Sequence, residues 1–529
     1  MTAPTPASLS TPSRTPEWTP GLRRYLHLTA MLSGAAVLVV EILGAKMLAP
    51  FVGTSHFVWT AQIAVTLVSL AFGYQLGGWA ADRTPKLGLY YTFLAAAGLA
   101  LVLCMPLVEP MAYACLKFPL PLAALLCSAG LFVVPLTLMA TTVPFLIRVM
   151  ARSVENVGSQ AGRLSAISTL GSVGGAVMIG YVLLPLLPNS ITLGLTAALL
   201  AVLGLIYALI WGRAGKHLAL PVATLFVSAA MTAITYRAES HPRFKGMKEI
   251  ARHNSNFGQL QVLEGLDSGD PRRIYLNDYL VQNTYDRERK QSTSLFTFML
   301  HGLAKAYTEK LDRALCIGLG IGIVPMQLAR EGTQVDVVEI NPDVIPLAQR
   351  YFDFDPALMK IAVGDGRQYL NQGETRYDAV ILDAFLGDSS PSHLMTREAF
   401  AAMRRRLEPH GVLVINSFGD FAAGADFFVG SIDQTLRAVF KQVRIHASGN
   451  GNVFFVASDR ENLSILRTFD FDAVYGGVRH QARDAFSSVR ENPLGSGRVL
   501  TDDFNPVDFY DAVNREKMRR NLAIFVRGL

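Results

Sequence analysis

Apolar positions between Tyr25 and Tyr236 run on without the polar interruptions that mark a half-buried strand or an amphipathic surface helix. The uninterrupted runs fall at about 27–49, 58–80, 88–108, 119–147, 164–187, 190–211 and 217–236, each about the 20 residues that a helix needs to cross a hydrocarbon core. They predict a multi-pass α-helical membrane domain over 25–237 with about seven spans. Ahead of it, residues 1–24 are rich in Pro, Thr and Ser and read as a disordered N-terminal tail. The first run is too long for a cleaved signal peptide and lacks a small-residue cleavage site.

After Tyr236 charges become frequent and short apolar runs alternate with turn signals. Alternation in Gly258–Leu263 and again in Arg273–Leu276 predicts a small antiparallel β-sheet over 247–285. Residues 286–529 then read as a βαβ series, with strands at 314–318, 335–339, 379–383 and 412–416 and helices at 324–330, 344–351 and 398–407. This is the pattern of an α/β Rossmann-like domain of the class I methyltransferase type, a parallel sheet covered by helices on both faces. Runs at 442–446 and 453–457, joined around Gly449 and Gly451, predict a hairpin that closes the sheet.

Composition sharpens this division. With 529 residues, 51% of them apolar and only 17% charged, and a mean hydropathy of +0.30, the chain is too apolar and too long for one soluble domain. The net charge of +6 suggests no nucleic-acid partner, because the basic residues are dispersed and many lie between apolar runs. A lipid bilayer is the partner they fit. Cys104, Cys115 and Cys127 lie in the apolar half and Cys316 in a predicted strand. Without a CxxC pair or histidines at ligand spacing, they support no disulfide framework and no metal site. Glu41 and Lys46 fall inside the first run, where ionisable groups are costly enough to count as functional candidates. The segment 77–86 resembles a loop of major facilitator transporters, and Gly171, Gly174 and Gly175 read as helix-contact positions.

The candidate chemistry lies at the carboxyl ends of the predicted parallel strands, where open α/β sheets bind ligands. Gly318, Gly320 and Gly322 follow the first strand and let a ligand approach the backbone. Glu339 ends the next strand, about 20 residues on, where an acid accepts both ribose hydroxyls. Asp365 and Gly366 end a third strand, where an acid can accept an adenine amino proton. Such a loop can also hold a dinucleotide pyrophosphate on its helix. Asp365 and Asp383 at successive strand ends argue against that, since they suit a sulfonium or ammonium cation.

From about 247 to 510 the chain resembles the spermidine synthase family of polyamine aminopropyltransferases, in its membrane-fused form. The resemblance rests on 255–262 with Gln259, on Gln282, on Val338-Glu339-Ile340-Asn341-Pro342, and on Gly364-Asp365-Gly366-Arg367. It continues in Tyr377–Asp383, Leu394–Glu398, 407–413 and Leu500–Pro506. It implies that Asp383 and Asp388 are catalytic, that Gln259, Gln282, Gly318, Gly320, Gly322, Glu339, Asp365 and Gly366 bind substrate, and that no prosthetic group is needed. The substrate would be S-adenosylmethionine or its decarboxylated form. Three departures bear on mechanism. Ile321 stands where soluble members carry an aspartate, Leu295-Phe296-Thr297 stands in place of their Tyr-His-Glu, and Asp388 is displaced.

The leading expectation is therefore aminopropyl transfer to a polyamine with release of methylthioadenosine. Two alternatives stand beside it: an S-adenosylmethionine lyase, in which the substrate's own carboxylate attacks its γ-carbon to give homoserine lactone, and a polyamine or nucleoside transporter or sensor with a degenerate synthase domain. His301, His393 and Phe427-Phe428 read as packing or loop residues, and a homo-oligomer is left open. Arg14, Arg23, Arg24, Arg83, Lys86, Arg148, Arg152, Arg163, Arg213 and Lys216 flank alternate connections, whereas the opposite loops carry Lys117, so the N-terminus is expected in the cytoplasm. Seven spans would then leave the α/β domain outside. An adenosylmethionine enzyme, whose substrate is made inside cells, is instead expected on the cytoplasmic face of a bacterial inner membrane, either because one segment, the short run 217–236 first, does not span fully or because long domains override the charge rule.

Overall fold

The structure is a computed structural model that describes residues 19–53, 56–151, 154–212, 217–239, 246–266, 269–385, 391–449 and 451–510. The tail before Thr19 lies outside the described residues. The first helix, α1 (Pro20–Val52), starts earlier than the apolar run. Thr19 accepts the Leu22 N–H, and Pro20 supplies a first position whose missing donor costs nothing.

The helical half continues with α2 (His56–Arg83), α3 (Leu87–Cys104), α4 (Val108–Cys115), α5 (Leu120–Ala140), α6 (Thr142–Met150) and α7 (Val154–Met178). It ends with α8 (Leu184–Leu186), α9 (Asn189–Ile210) and α10 (Ala219–Glu239). Joined where they run on, these give seven helical stretches long and apolar enough to cross a membrane, the last being Ala219–Ala238 with 20 residues. Small residues set the spacing of α1 and α7. A Cβ on Gly171 would lie 1.9 Å from the Met31 carbonyl oxygen and one on Gly175 2.4 Å from that of Ala35, so the two backbones meet directly. Leu67, Phe72, Leu170 and Phe226 point outward and are exposed.

The α/β half opens with an antiparallel sheet, β1 (Met247–Ser255), β2 (Gly258–Gly265), β3 (Arg272–Asn277), β4 (Leu280–Asp286) and β5 (Gln291–Ser292). This sheet runs past 285 because β5 pairs back onto Tyr285 and Asp286. After α11 (Leu295–Ala306) come β6 (Arg313–Ile317), α12 (Ile323–Arg330), β7 (Gln334–Glu339), α13 (Val344–Tyr351), β8 (Lys360–Val363), α14 (Gly366–Gln372) and β9 (Tyr377–Leu382). Then follow α15 (Arg397–Arg405), β10 (Leu407–Phe418), α16 (Phe427–Arg437), β11 (Gln442–Ala447), β12 (Asn452–Ser458), α17 (Arg479–Ser487), β13 (Val489–Arg490) and α18 (Val507–Tyr510).

The second sheet has the order β13-β11-β12-β10-β9-β6-β7-β8. Strands β10, β9, β6, β7 and β8 are parallel neighbours, and β12 returns antiparallel to both β10 and β11. This is a Rossmann-like methyltransferase-type sheet. Alternate residues of each central strand feed two separate cores, Cys316, Val337 and Ile381 on one face and Ile317, Val338 and Leu382 on the other. From β6 the chain proceeds to β7 on one side, and β9 is added on the other. The order thus reverses between β6 and β9, which opens a crevice beyond their carboxyl ends.

Candidate active site

A cavity of about 570 Å³ fills that crevice, and Glu339, Asp365 and Asp383 all line it. Gly318, at the end of β6, has φ +96°, and a Cβ there would lie 2.2 Å from the Asp383 carbonyl oxygen. Only glycine lets this loop cross the end of β9 so closely. Gly320 (φ +55°) has open space above it and lines the cavity. Gly322 does not line it. Its absent side chain makes room for the Phe354 ring, so its role is contact between α12 and the neighbouring chain. Ile321, in the same loop, is buried and presents an apolar wall.

Glu339 accepts the Leu319 N–H at Oε2 and the Asn341 N–H at Oε1, both at 2.8 Å. Burial pushes its carboxyl pKa up against the pull of these donors. The bonds fix the carboxylate plane at the end of β7 and leave further lone pairs for a diol. Asp365 caps α14 by accepting the Gln368 N–H at 2.9 Å and faces His393 Nε2 at 2.8 Å. Burial alone would raise the Asp365 pKa, but these partners together hold it below the ordinary value. Gly366 lines the cavity beside it.

Asp383 follows β9, and its Oδ1 accepts Asn416 Nδ2 at 2.9 Å. Desolvation outweighs that bond and pushes its pKa up to about 6. A group so poised is ionised at neutral pH and basic enough to take a proton. The Phe385 and Phe418 rings meet beside it at 5.2 Å. Asp388 lies outside the described residues.

The small sheet supplies the opposite wall. Leu260 and Val262 face Asn277 and Tyr275 across the β2–β3 pair, and Asn277 and Tyr275 line the cavity. Gln259 therefore points to the other face of the sheet, where its Nε2 donates to Asn254 Oδ1 at 2.9 Å. The expectation that Gln259 contacts substrate fails on strand alternation. Gln282 does reach the cavity, because a bulge in β4 pairs Tyr275 with Asn283 and Leu276 with Val281 and leaves Gln282 between them. Phe296 and Thr297 enter from the start of α11.

Three residues were given no role in the site by the sequence. His393, set aside there as a loop residue, lines the cavity. Asn416 lies near the end of β10, just past its pairing with β9, and orients Asp383, a position that strand-end logic could have found. Asp502 accepts both Arg367 Nη1 and Nη2, at 2.7 and 2.6 Å, and also the Thr396 hydroxyl. With Asn505 donating to the Ser392 carbonyl, the segment 500–506 straps down the wall that carries His393. Among the described residues lining the cavity there are three carboxylates and neither lysine nor arginine.

Residues 294–448 match the family model of the spermine/spermidine synthase domain. A polyamine aminopropyltransferase from Vibrio vulnificus is 42% identical over 118 residues, covering 21% of this chain and 40% of that protein. An N-terminal histidine N-methyltransferase from Emericella nidulans is 27% identical over 223 residues, covering 38% of each chain. The chain thus spans about two fifths of the length of these two relatives. The solved spermidine synthase from Thermotoga maritima aligns with 19% identity and a TM-score of 0.35, over 46% of this chain and 81% of that one.

Proposed function

With a spermine/spermidine synthase domain in the C-terminal part of the chain as premise, we propose that the protein is a membrane-bound aminopropyltransferase. It takes decarboxylated S-adenosylmethionine as donor and a polyamine as acceptor, and releases methylthioadenosine. The carrying observation is the cavity at the β6/β9 reversal, whose described lining holds three carboxylates and neither lysine nor arginine. That lining repels a pyrophosphate and attracts a sulfonium.

In this reading Glu339 holds the ribose hydroxyls, Asp365 with His393 meets the adenine edge, and Gly318 and Gly320 allow the donor to lie against the loop. The acceptor amine attacks the methylene bonded to sulfur. The new C–N bond forms as the C–S bond breaks, its electron pair stays on the sulfur of methylthioadenosine, and the proton of the nitrogen passes to Asp383. The work of the chain is to place the two reactants in line and keep the amine unprotonated. Seven apolar helices with outward Leu67, Phe72, Leu170 and Phe226 support insertion in a bilayer.

Ile321 favours a second reading. An apolar wall in the glycine loop does not repel a donor that keeps its carboxylate, and that carboxylate can attack the γ-carbon to close a lactone. Incubation with decarboxylated S-adenosylmethionine plus putrescine, and separately with intact S-adenosylmethionine alone, distinguishes the two. The transferase reading expects methylthioadenosine and an aminopropylated amine only in the first mixture. Product in the second mixture alone would replace it with the lyase, and product in neither would remove both.

A further inference from the structure

The two ends of the helical bundle differ in charge. At one end the start of α1 meets the end of α9, with the Tyr25 and Trp211 rings 5.0 Å apart. There too the ends of α2 and α6 meet through Asp82 and Arg148 at 2.7 Å. Arg23, Arg24, Arg83, Lys86, Arg148 and Arg163 lie at or beside this end, and in the sequence Arg152, Arg213 and Lys216 stand in connections outside the described residues, between helices whose described ends lie there. At the other end the close of α1 meets α4, with Phe51 and Tyr113 5.5 Å apart. The short connections 53–55, 116–119 and 187–188 at that end carry Lys117 alone.

The α/β half is attached to this second, basic-poor end. Helix α8 packs on β1, and Phe509 of α18 lies 6.4 Å from the His56 ring and 5.9 Å from that of Phe57. The seventh stretch, Ala219–Ala238, is a full-length helix packed on α3 and α9, so the described helices, read as spans, cross an odd number of times before β1. Arg237 in its last turn and Arg243 and Lys245 after it are basic, but they lead into a long folded domain, where basic residues have little topological weight. Basic residues in short connections keep those connections in the cytoplasm.

We infer that the synthase-like domain stands on the extracytoplasmic side of the membrane, opposite the basic end of the bundle. This inverts the orientation that a cytoplasmic substrate suggests, and it rests on the reading of the seven helices as spans. A consequence follows for the reaction sequence. A sulfonium nucleoside carries charge and does not cross hydrocarbon unaided, so a membrane transport step must precede this enzyme.

The test uses the full chain in its membrane. The four native cysteines are buried, so an introduced one reports alone. His480 has a side chain 90% exposed on α17, and Lys86 is exposed at the basic end. A membrane-impermeant maleimide is expected to label H480C in intact spheroplasts and K86C only after lysis. Protection of H480C until lysis, or labelling of K86C in intact spheroplasts, would overturn the inference. Release of the chain by alkaline carbonate would also overturn it, by removing the spans. Turnover assayed after detergent lysis keeps the synthase reading separate from all of these outcomes.

Discussion

Asp383 combines two properties that pull against each other: burial that raises its pKa to about 6, and a position where a negative charge serves a cation. The stability that this group favours is present when it is protonated, at low pH, and is lost as pH rises through about 6. At pH 7.5 the charged folded form therefore costs stability, of order 2–3 kcal/mol for a displacement from 3.8 to about 6. Asp383→Asn should abolish turnover by ~10²-fold or more, with donor affinity changed only a few-fold. It should also raise the melting temperature of the detergent-solubilised protein more at pH 7.5 than at pH 4.5, measured by scanning fluorimetry. For the wild type, kcat/KM is expected to rise with pH through an acid limb near 6. Asn416→Ala removes the bond that lowers the Asp383 pKa, so that limb should move upward, and an unmoved limb would count against Asp383 as the titrating base.

At the level of elements, the site depends on two close crossings. The first is the loop after β6, where Gly318 passes over the end of β9. Gly318→Ala forces a Cβ into the Asp383 carbonyl at a positive φ. It is expected to cost about 1–3 kcal/mol and to abolish nucleoside binding, read by calorimetry with methylthioadenosine. The second is the strap 500–506, which holds the His393 wall through the Arg367–Asp502 pair. Both partners are partly exposed, at 20% and 45%, so the effect of release is modest. Asp502→Ala should raise KM for the adenosyl donor about 3- to 10-fold at nearly constant kcat. Equal losses in kcat and KM at a second substrate would mean general unfolding of the wall. The same logic of close approach applies to α1 and α7, where Gly171 and Gly175 touch the facing backbone.

For the whole molecule, an apolar bundle and a carboxylate-lined crevice are joined at the basic-poor end of the helices. The described contacts between them run through α8 and β1 and through Phe509 against His56 and Phe57. The chain is expected to sediment with membranes and to resist alkaline carbonate, as outward Leu67, Phe72 and Phe226 demand. Phe509→Ala should leave turnover of the detergent-solubilised protein within about twofold while increasing its susceptibility to limited proteolysis. This outcome would separate a tether from a catalytic part. It is a surface contact of one ring, worth about 1 kcal/mol.

Sequence alone determined the division into an apolar helical half and an α/β half, because the length of an uninterrupted apolar run and the alternation of short strands with helices are local properties. It also determined the strand-end acids Glu339, Asp365 and Asp383, because a parallel strand delivers its last residue to a known edge of the sheet. Tertiary structure decided which side chains share the cavity. The face of β2 excludes Gln259, the bulge in β4 admits Gln282, and Gly322 is given over to Phe354. The roles of His393 and Asp502 were not legible because each acts through a partner 28 or 135 residues away, and no local pattern encodes a contact made only when distant segments close on one another, whereas Asn416, near a strand end, lay within reach of the rule that found the acids.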